Sequence, residues 1–248
     1  MKSWPYPRVC AHRGGGTLAP ENTLAAMRAG ARLGHKMVEF DAKLSADNIA
    51  FLLHDDTVDR TSNGHGAAAR LRYDEMSSLD AGSWRDAVFA GERMPTLALV
   101  AACCREAGLA ANVEIKPCPQ REVETGRLVA REAARLWSDA TPPPLLSSFS
   151  FEALAAARDA APDLPRGLLF ERVPGDWPEQ TADLGCVSLH ASDRHLDEGL
   201  VARIKAAGLH ILAYTVNDLE RARCLVRWGV DTICTDRIDL IGPHALDV

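Results

Sequence analysis

A chain of 248 residues is too long for a small disulfide-stapled scaffold and fits one large α/β domain. Hydrophobic residues make up 47% of the chain and charged residues 25%, which excludes a disordered or low-complexity protein. The formal net charge of -6 gives no general attraction for nucleic acid or anionic membranes. An anionic ligand must therefore be bound by a local group of cations.

The first residues of the chain, its lack of long apolar stretches and its cysteines indicate a cytoplasmic protein. The first residues contain Pro5, Pro7 and several charges, without the apolar run that a secretory signal needs. No stretch approaches the roughly 20 apolar residues of a membrane helix. The seven cysteines include no CxxC pair, and most lie among aliphatic residues, so we expect reduced thiols.

Short runs rich in Val, Ile and Leu alternate with segments of helical periodicity, which is typical of βαβ units. Strands are predicted over residues 8–12, 37–44, 49–54, 111–116, 145–149, 167–170, 186–190, 209–215 and 232–235. Helices are predicted over residues 21–33, 97–107, 121–137, 151–160, 196–207 and 219–228.

The strands over 37–44 and 49–54 are too close together for the crossover that parallel strands require. They are predicted to form a hairpin whose turn, centred on Asp47-Asn48, places His54 directly opposite Asp41. Eight strands remain, which predicts a single (β/α)8 TIM-barrel domain with an extra hairpin strand. A doubly wound open sheet is the alternative, because a sequence alone does not fix strand order.

Residues 55–94 interrupt the alternation with turn residues, among them the run from Thr61 to Gly66. The segment is predicted to be a small insertion. On a barrel it would leave a strand at the mouth of the active site, so we interpret it as a lid or a wall on the substrate side.

Charged residues mark the ends of the first predicted strands. The first strand ends in His12-Arg13-Gly14-Gly15-Gly16, which precedes a helix and is typical of an anion-binding turn. On the second strand, alternation places Glu39 and Asp41 on one face, where two buried carboxylates require a cation. Glu114 and Lys116 repeat this arrangement on a later strand. Read alone, that second pair could equally be an internal ion pair.

The charges of these side chains are consistent with a phosphodiester ligand. Three carboxylates, a divalent cation, Arg13 and Lys116 together leave one positive charge, which a phosphodiester would neutralise. An all-oxygen carboxylate set favours a hard cation such as Mg²⁺ or Ca²⁺ over Zn²⁺.

Six ordered motifs, which span nearly the whole chain, resemble the glycerophosphodiester phosphodiesterase family, and in particular its short cytosolic bacterial members. They are His12-Arg13-Gly14, Pro20-Glu21-Asn22-Thr23, Glu39-Phe40-Asp41, His54-Asp55, Glu114-Ile115-Lys116 and Thr215-Val216-Asn217. Asp80-Ala81-Gly82-Ser83-Trp84 and Cys234-Thr235-Asp236 add to the similarity. The chain departs from the usual sequence of this family at Asp47-Asn48, Tyr214 and Cys118-Pro119.

The resemblance implies a metal-dependent (β/α)8 enzyme that hydrolyses glycerophosphodiesters, such as glycerophosphocholine and glycerophosphoethanolamine, to sn-glycerol 3-phosphate and an alcohol. It assigns one Mg²⁺ or Ca²⁺ to Glu39, Asp41 and Glu114, acid and base roles to His12 and His54, and phosphate binding to Arg13 and Lys116. Our hypothesis for the order is that His54 is the acid and His12 the base. His190 is a further candidate substrate contact, because it ends a predicted strand.

Two other functions remain open. A phospholipase- or lyase-like enzyme acting on lipid phosphodiesters would use the same residues, although the sequence offers no amphipathic helix for reaching a bilayer. A binding module without catalysis is the other alternative. We expect a small-molecule substrate and no nucleic acid or stable membrane partner. Whether the protein is a homodimer is left open.

Overall fold

In the computed structural model, which describes residues 3–247, nine strands and eight helices follow one another along the chain. Strands β1 to β9 span Val9–Ala11, Met37–Leu44, Ala50–Leu52, Ala110–Ile115, Leu145–Ser148, Arg166–Phe170, Ser188–Ser192, His210–Tyr214 and Thr232–Thr235. Helices α1 to α8 span Leu24–Arg32, Tyr73–Met76, Leu97–Ala107, Glu122–Leu136, Phe151–Ala160, Trp177–Asp183, Glu198–Ala206 and Leu219–Trp228.

The sheet closes on itself. Strand β1 pairs in parallel with β2 on one side and β9 on the other, so that Ala11 has both Val38 and Thr235 as neighbours. The parallel strands follow the order β1, β2, β4, β5, β6, β7, β8 and β9, and β3 is antiparallel to β2. The predicted (β/α)8 barrel with an extra hairpin strand is confirmed, and the open sheet was the wrong alternative.

The core lies in two layers, inside the barrel and between the barrel and its helices. On β2, Val38, Phe40 and Ala42 belong to the large apolar cluster that includes residues of α3, α4 and α5. Glu39 and Asp41 alternate with them and point to the barrel interior. Strand β2 therefore supplies carboxylates to the barrel interior and apolar side chains to the helix layer, while Leu145 and Leu212 belong to a separate apolar cluster with Cys10, Met37 and Cys234.

The hairpin register differs from our prediction by one residue. Lys43 pairs with Phe51, and the amide of Ser45 donates to the carbonyl oxygen of Ile49, so the loop holds three residues rather than two. Asn48 has a φ of 63°, the left-handed conformation that ends a three-residue hairpin loop. The predicted direct pairing of Asp41 with His54 is wrong, and β3 ends at Leu52 before it reaches His54.

Three helices differ from the sequence prediction by more than two residues, and one of them, the four-residue α2 inside the 55–94 segment, was not predicted. Helix α1 begins at Leu24, because the Thr23 side chain accepts a hydrogen bond from the amide of Ala26 and caps the helix there. Glu21 and Asn22 are thereby left in the preceding loop. Helix α6 was missed, since only Trp177 and Thr181 are buried among its seven residues and no apolar period marks it.

Residues 55–94 run beside the hairpin strand β3. Val58, Ala68, Met76 and Met94 from this segment form an apolar cluster with Phe51 of β3, among other residues. Within residues 3–247, every helix is too short or too polar to cross a lipid bilayer.

Candidate active site

All eight site residues predicted from the sequence line one cavity of about 240 Å³. His12, Arg13, Glu114 and Lys116 lie at or just beyond the carboxyl ends of β1 and β4, the end at which barrel enzymes carry their active sites. Glu39 and Asp41 lie within β2, which continues to Leu44 in the hairpin, and His54 follows the antiparallel strand β3. The eight are His12, Arg13, Glu39, Asp41, His54, Glu114, Lys116 and His190.

Three buried carboxylates form the centre of the cavity. Glu39, Asp41 and Glu114 each have an oxygen within 4.8 Å of those of the other two. Burial and the neighbouring Asp41 raise the pKa of Glu39 to about 8, and the same two causes raise the pKa of Glu114. Oε1 of Glu39 is buried and has no hydrogen-bond partner among the described residues. This all-oxygen set with an unpaired oxygen fits a hard divalent cation.

Asn22 holds Asp41 by two hydrogen bonds. Its Nδ2 donates to Oδ2 of Asp41 at 2.8 Å, and its Oδ1 accepts from the backbone amide of Asp41 at 3.0 Å. Burial opposes the charge on Asp41, but Arg13 and Lys116 outweigh burial and hold the pKa of this carboxyl below its usual range. Asp41 therefore stays ionised beside two carboxyls whose pKa values are raised.

Two cations lie above the carboxylates. The amide of Arg13 donates to Oε2 of Glu39 at 3.0 Å, its Nη1 donates to Glu21 at 2.6 Å, and its Nε lies 3.7 Å from Asp41. Nζ of Lys116 donates to Glu114 at 2.8 Å and lies 3.7 Å from Asp41. Both cations therefore adjoin the carboxylate cluster, where a bound phosphate could be shared between them and a metal ion.

His12 is held between two carboxylates. Its Nδ1 lies 2.6 Å from Oδ1 of Asp236, and its Nε2 lies 3.7 Å from Oε2 of Glu39. Burial favours the neutral ring, yet the Asp236 hydrogen bond and the Glu39 charge raise the pKa of His12. Asp236 is held in turn by Asn217, whose Nδ2 donates to Oδ2 at 3.1 Å. The Asp236 contact orients the imidazole so that Nε2 faces the carboxylates.

His54 has a similar support. Its Nδ1 lies 2.7 Å from Oδ1 of Asp55, and Asp55 accepts two hydrogen bonds from Arg60. Arg60 also donates two hydrogen bonds to Glu21, the residue that binds Arg13. Burial, followed by the charges of Arg13 and Lys116, lowers the pKa of His54 despite the opposing effect of Asp41.

His190 lies within β7 rather than at its end. The strand runs on to Ser192, two residues further than predicted, and the His190 side chain is fully buried at the floor of the cavity. Its role as a substrate contact stays a prediction.

Several supporting residues were missed by sequence reasoning. Asn217 and Asp236 follow β8 and β9, so their positions at strand ends could have marked them. Like Asn217 and Asp236, the residues Glu21, Asn22 and Asp55 lay inside recognised motifs but were given no role. No local signal marked Arg60. The charges of Glu21, Asp55, Asp236 and Arg60 were consequently missing from our charge sum.

Residues 12–240 match the Glycerophosphoryl diester phosphodiesterase family. A glycerophosphodiester phosphodiesterase of Caldanaerobacter subterraneus is 32% identical over 230 residues, covering 92% of this chain and 93% of the relative. The Bacillus subtilis protein YhdW is 32% identical over 246 residues, covering 95% of this chain and 98% of the relative.

A solved structure extends the likeness to three dimensions. A phosphodiesterase of Oleispira antarctica, in complex with the product sn-glycerol-3-phosphate, superposes with a TM-score of 0.91 at 36% identity. The match covers 98% of this chain and 97% of the other.

Proposed function

The chain belongs to the glycerophosphoryl diester phosphodiesterase family and hydrolyses glycerophosphodiesters to sn-glycerol 3-phosphate and an alcohol, and we propose that it does so with one divalent cation and two histidines. The observation that carries this proposal is the shared cavity, in which three buried carboxylates, two cations and two histidines meet.

Glu39, Asp41 and Glu114 would hold the cation, Mg²⁺ or Ca²⁺. When bound, a divalent cation supplies positive charge to the non-bridging oxygens of the diester. Arg13 and Lys116 bind the same anionic group, which otherwise repels a nucleophile. Arg13 presents a planar guanidinium and Lys116 a point charge, so the two have different geometric demands.

His12 and His54 transfer the protons. Each ring is held at Nδ1 by a carboxylate, Asp236 for His12 and Asp55 for His54, which leaves Nε2 to face the reacting group. One ring takes a proton from the attacking group, which is either water or the adjacent glycerol hydroxyl, and the other protonates the leaving alkoxide. We retain His54 as the acid and His12 as the base, an order that the leaving-group experiment in the Discussion tests.

The insertion over residues 55–94 forms a wall on the substrate side in this proposal. Its Trp84 and Arg85 line a second cavity of about 270 Å³, which shares His12 and Arg13 with the first. A diester bound at Arg13 would therefore extend one of its two arms into the first cavity and the other arm into the second. The seven free cysteines support the proposal that the enzyme works in the reducing cytoplasm.

Product analysis tests the function directly. Purified protein with Mg²⁺ or Ca²⁺ should convert glycerophosphocholine to equal amounts of sn-glycerol 3-phosphate and choline. Glycerophosphoethanolamine tests the alcohol preference, and lysophosphatidylcholine tests whether lipid diesters are accepted. Phosphocholine with free glycerol would show cleavage of the other ester bond, and an accumulating cyclic phosphate would show a lyase.

A further inference from the structure

Besides the atoms of Glu39 and Arg13 at the proposed metal and phosphate site, three buried polar atoms inside the barrel have no hydrogen-bond partner among the described residues. They are Oδ1 of Asn112 on β4, Oγ of Ser147 on β5 and Nδ1 of His190 on β7. The exposed fractions of these residues are 2%, 0% and 0%. A buried polar group without a partner destabilises the folded protein, so three such groups are retained more readily where a ligand pairs with them.

Two of the three residues line the catalytic cavity. Asn112 is the neighbour of Glu39 across β2 and β4, and it precedes Glu114 by two residues on the same face. His190 lies on β7, with the apolar side chains of Leu169 and Leu212 also lining this part of the cavity. The floor of the cavity therefore combines the apolar side chains of Leu169 and Leu212 with the unpaired atoms of Asn112 and His190.

The His190 ring is fixed in place. Its Nε2 lies 3.0 Å from Oγ of Ser188. A Cβ on Gly167 of β6 would collide with Nε2 of His190 and lie 2.6 Å from Oγ of Ser188, so only glycine leaves room for this pair. Burial lowers the pKa of His190 to about 3, which keeps the ring neutral. It therefore presents Nδ1 as one uncharged hydrogen-bonding atom.

We propose that Asn112 and His190 form a hydroxyl subsite that binds the two free hydroxyl groups of the glycerol moiety. The proposal rests on the proposed function and names the part of the substrate that the cavity floor receives. A hydroxyl can donate to Oδ1 of Asn112, which can only accept. It can also pair with Nδ1 of His190 in either tautomer, because a hydroxyl both donates and accepts. A trimethylammonium group can do neither, so a choline arm at this position would leave both atoms unpaired.

Binding measurements test the subsite without requiring turnover. Calorimetry with Mg²⁺ present compares sn-glycerol 3-phosphate with 3-hydroxypropyl phosphate, which lacks the C2 hydroxyl, and with 2-hydroxypropyl phosphate, which lacks the C1 hydroxyl. The proteins are the wild type, Asn112→Leu and His190→Phe, in which side-chain volume is largely kept and hydrogen bonding is lost. His190→Gln is the conservative variant.

The wild type should bind each deoxy analogue about threefold to tenfold more weakly than sn-glycerol 3-phosphate, the loss expected for one neutral hydrogen bond. Asn112→Leu and His190→Phe should each reduce the discrimination against one analogue to less than about twofold, and His190→Gln should restore part of it. If His190→Phe fails to fold, Asn112→Leu and His190→Gln decide the outcome.

His35→Phe is the matched control. His35 is also buried with an unpaired Nδ1, but it lies outside this cavity, and its Nε2 contacts the carbonyl oxygen of Ile238 at 3.1 Å. It should keep wild-type discrimination. The subsite proposal would be overturned if the wild type did not discriminate between sn-glycerol 3-phosphate and the deoxy analogues. It would also be overturned if Asn112→Leu and His190→Phe discriminated as well as the wild type. In either case water would be the partner of these atoms. A wild type that discriminates but does not cleave glycerophosphocholine would contradict the proposed function and support the subsite.

Discussion

Arg60 donates two hydrogen bonds to Asp55, at 2.7 Å from Nε to Oδ2 and at 2.9 Å from Nη2 to Oδ1. The same guanidinium donates two more hydrogen bonds to Glu21. Asp55 holds His54 and Glu21 holds Arg13, so Arg60 connects a proposed acid with a proposed phosphate ligand. One side chain from the insertion thus positions two active-site residues that are far apart in sequence.

Arg60→Lys should lower kcat by about tenfold to a hundredfold, the range observed when a supporting partner of a site residue is removed. A lysine ammonium cannot reproduce the forked contacts to two carboxylates. The fold should persist, because the Arg60 side chain is 44% exposed. Steady-state kinetics on glycerophosphocholine and circular dichroism measure the two effects. Arg70→Lys is the control, since Arg70 is an exposed arginine of the same insertion outside this network. Wild-type kcat in Arg60→Lys would contradict the positioning role.

The same network should affect stability at low pH. Arg60 is the largest cause that holds the pKa of Asp55 below its usual range, and together with Arg13 it lowers the pKa of Glu21 against the effect of burial. Because both pKa values are lower in the folded state, the stabilisation is complete at neutral pH. It is lost as the pH falls below about 5 and the carboxylates become protonated.

Urea unfolding between pH 6 and pH 3 measures this dependence. The free energy of unfolding of the wild type should fall more steeply with decreasing pH than that of Arg60→Gln, in which the pKa values of Asp55 and Glu21 move towards their ordinary values. Arg70→Gln should follow the wild type. Parallel curves for the wild type and Arg60→Gln would show that the network contributes no pH-dependent stability.

The position of His12 shows how far sequence reasoning reaches. Strand alternation placed Glu39 and Asp41 on one face, and eight parallel strands predicted a barrel mouth where they would meet other strand ends. The partner of His12 is Asp236, 224 residues away, and that contact exists only because β9 closes the barrel beside β1. Register is similarly hard to predict, since the conformation of Asn48 shifted the hairpin by one residue.

Metal removal tests the carboxylate cluster. Glu39→Gln, Asp41→Asn and Glu114→Gln should each weaken Mg²⁺ or Ca²⁺ binding at least about tenfold, because each removes one charge from one set of oxygens. Cation addition should raise the Tm of the wild type and raise that of the variants less. Glu171→Gln is the control, because Glu171 lines the same cavity outside the cluster. Full activity after chelation, with metal loss verified by elemental analysis, would count against a metal enzyme.

The order of the two histidines is testable through the leaving group. Choline leaves as a poor alkoxide that needs a proton, whereas p-nitrophenolate leaves without one. Contacts raise the pKa of His12 and lower that of His54, and a cation at Glu39 would oppose the first effect.

If His54 is the general acid, His54→Ala should lose far more kcat on glycerophosphocholine than on a glycerophospho-p-nitrophenyl ester, because the activated ester no longer needs its proton. His12→Ala should lose a similar factor on both substrates, since deprotonation of the nucleophile is required for either. Asp236→Asn and Asp55→Asn extend the test, because each removes the carboxylate that orients one ring. Each should reproduce, in weaker form, the substrate dependence of the corresponding alanine variant.

The roles of the two histidines would be exchanged if the activated ester rescued His12→Ala while His54→Ala stayed inactive on both substrates. The arm of the diester beside His12, towards the cavity lined by Trp84 and Arg85, would then be the departing alcohol.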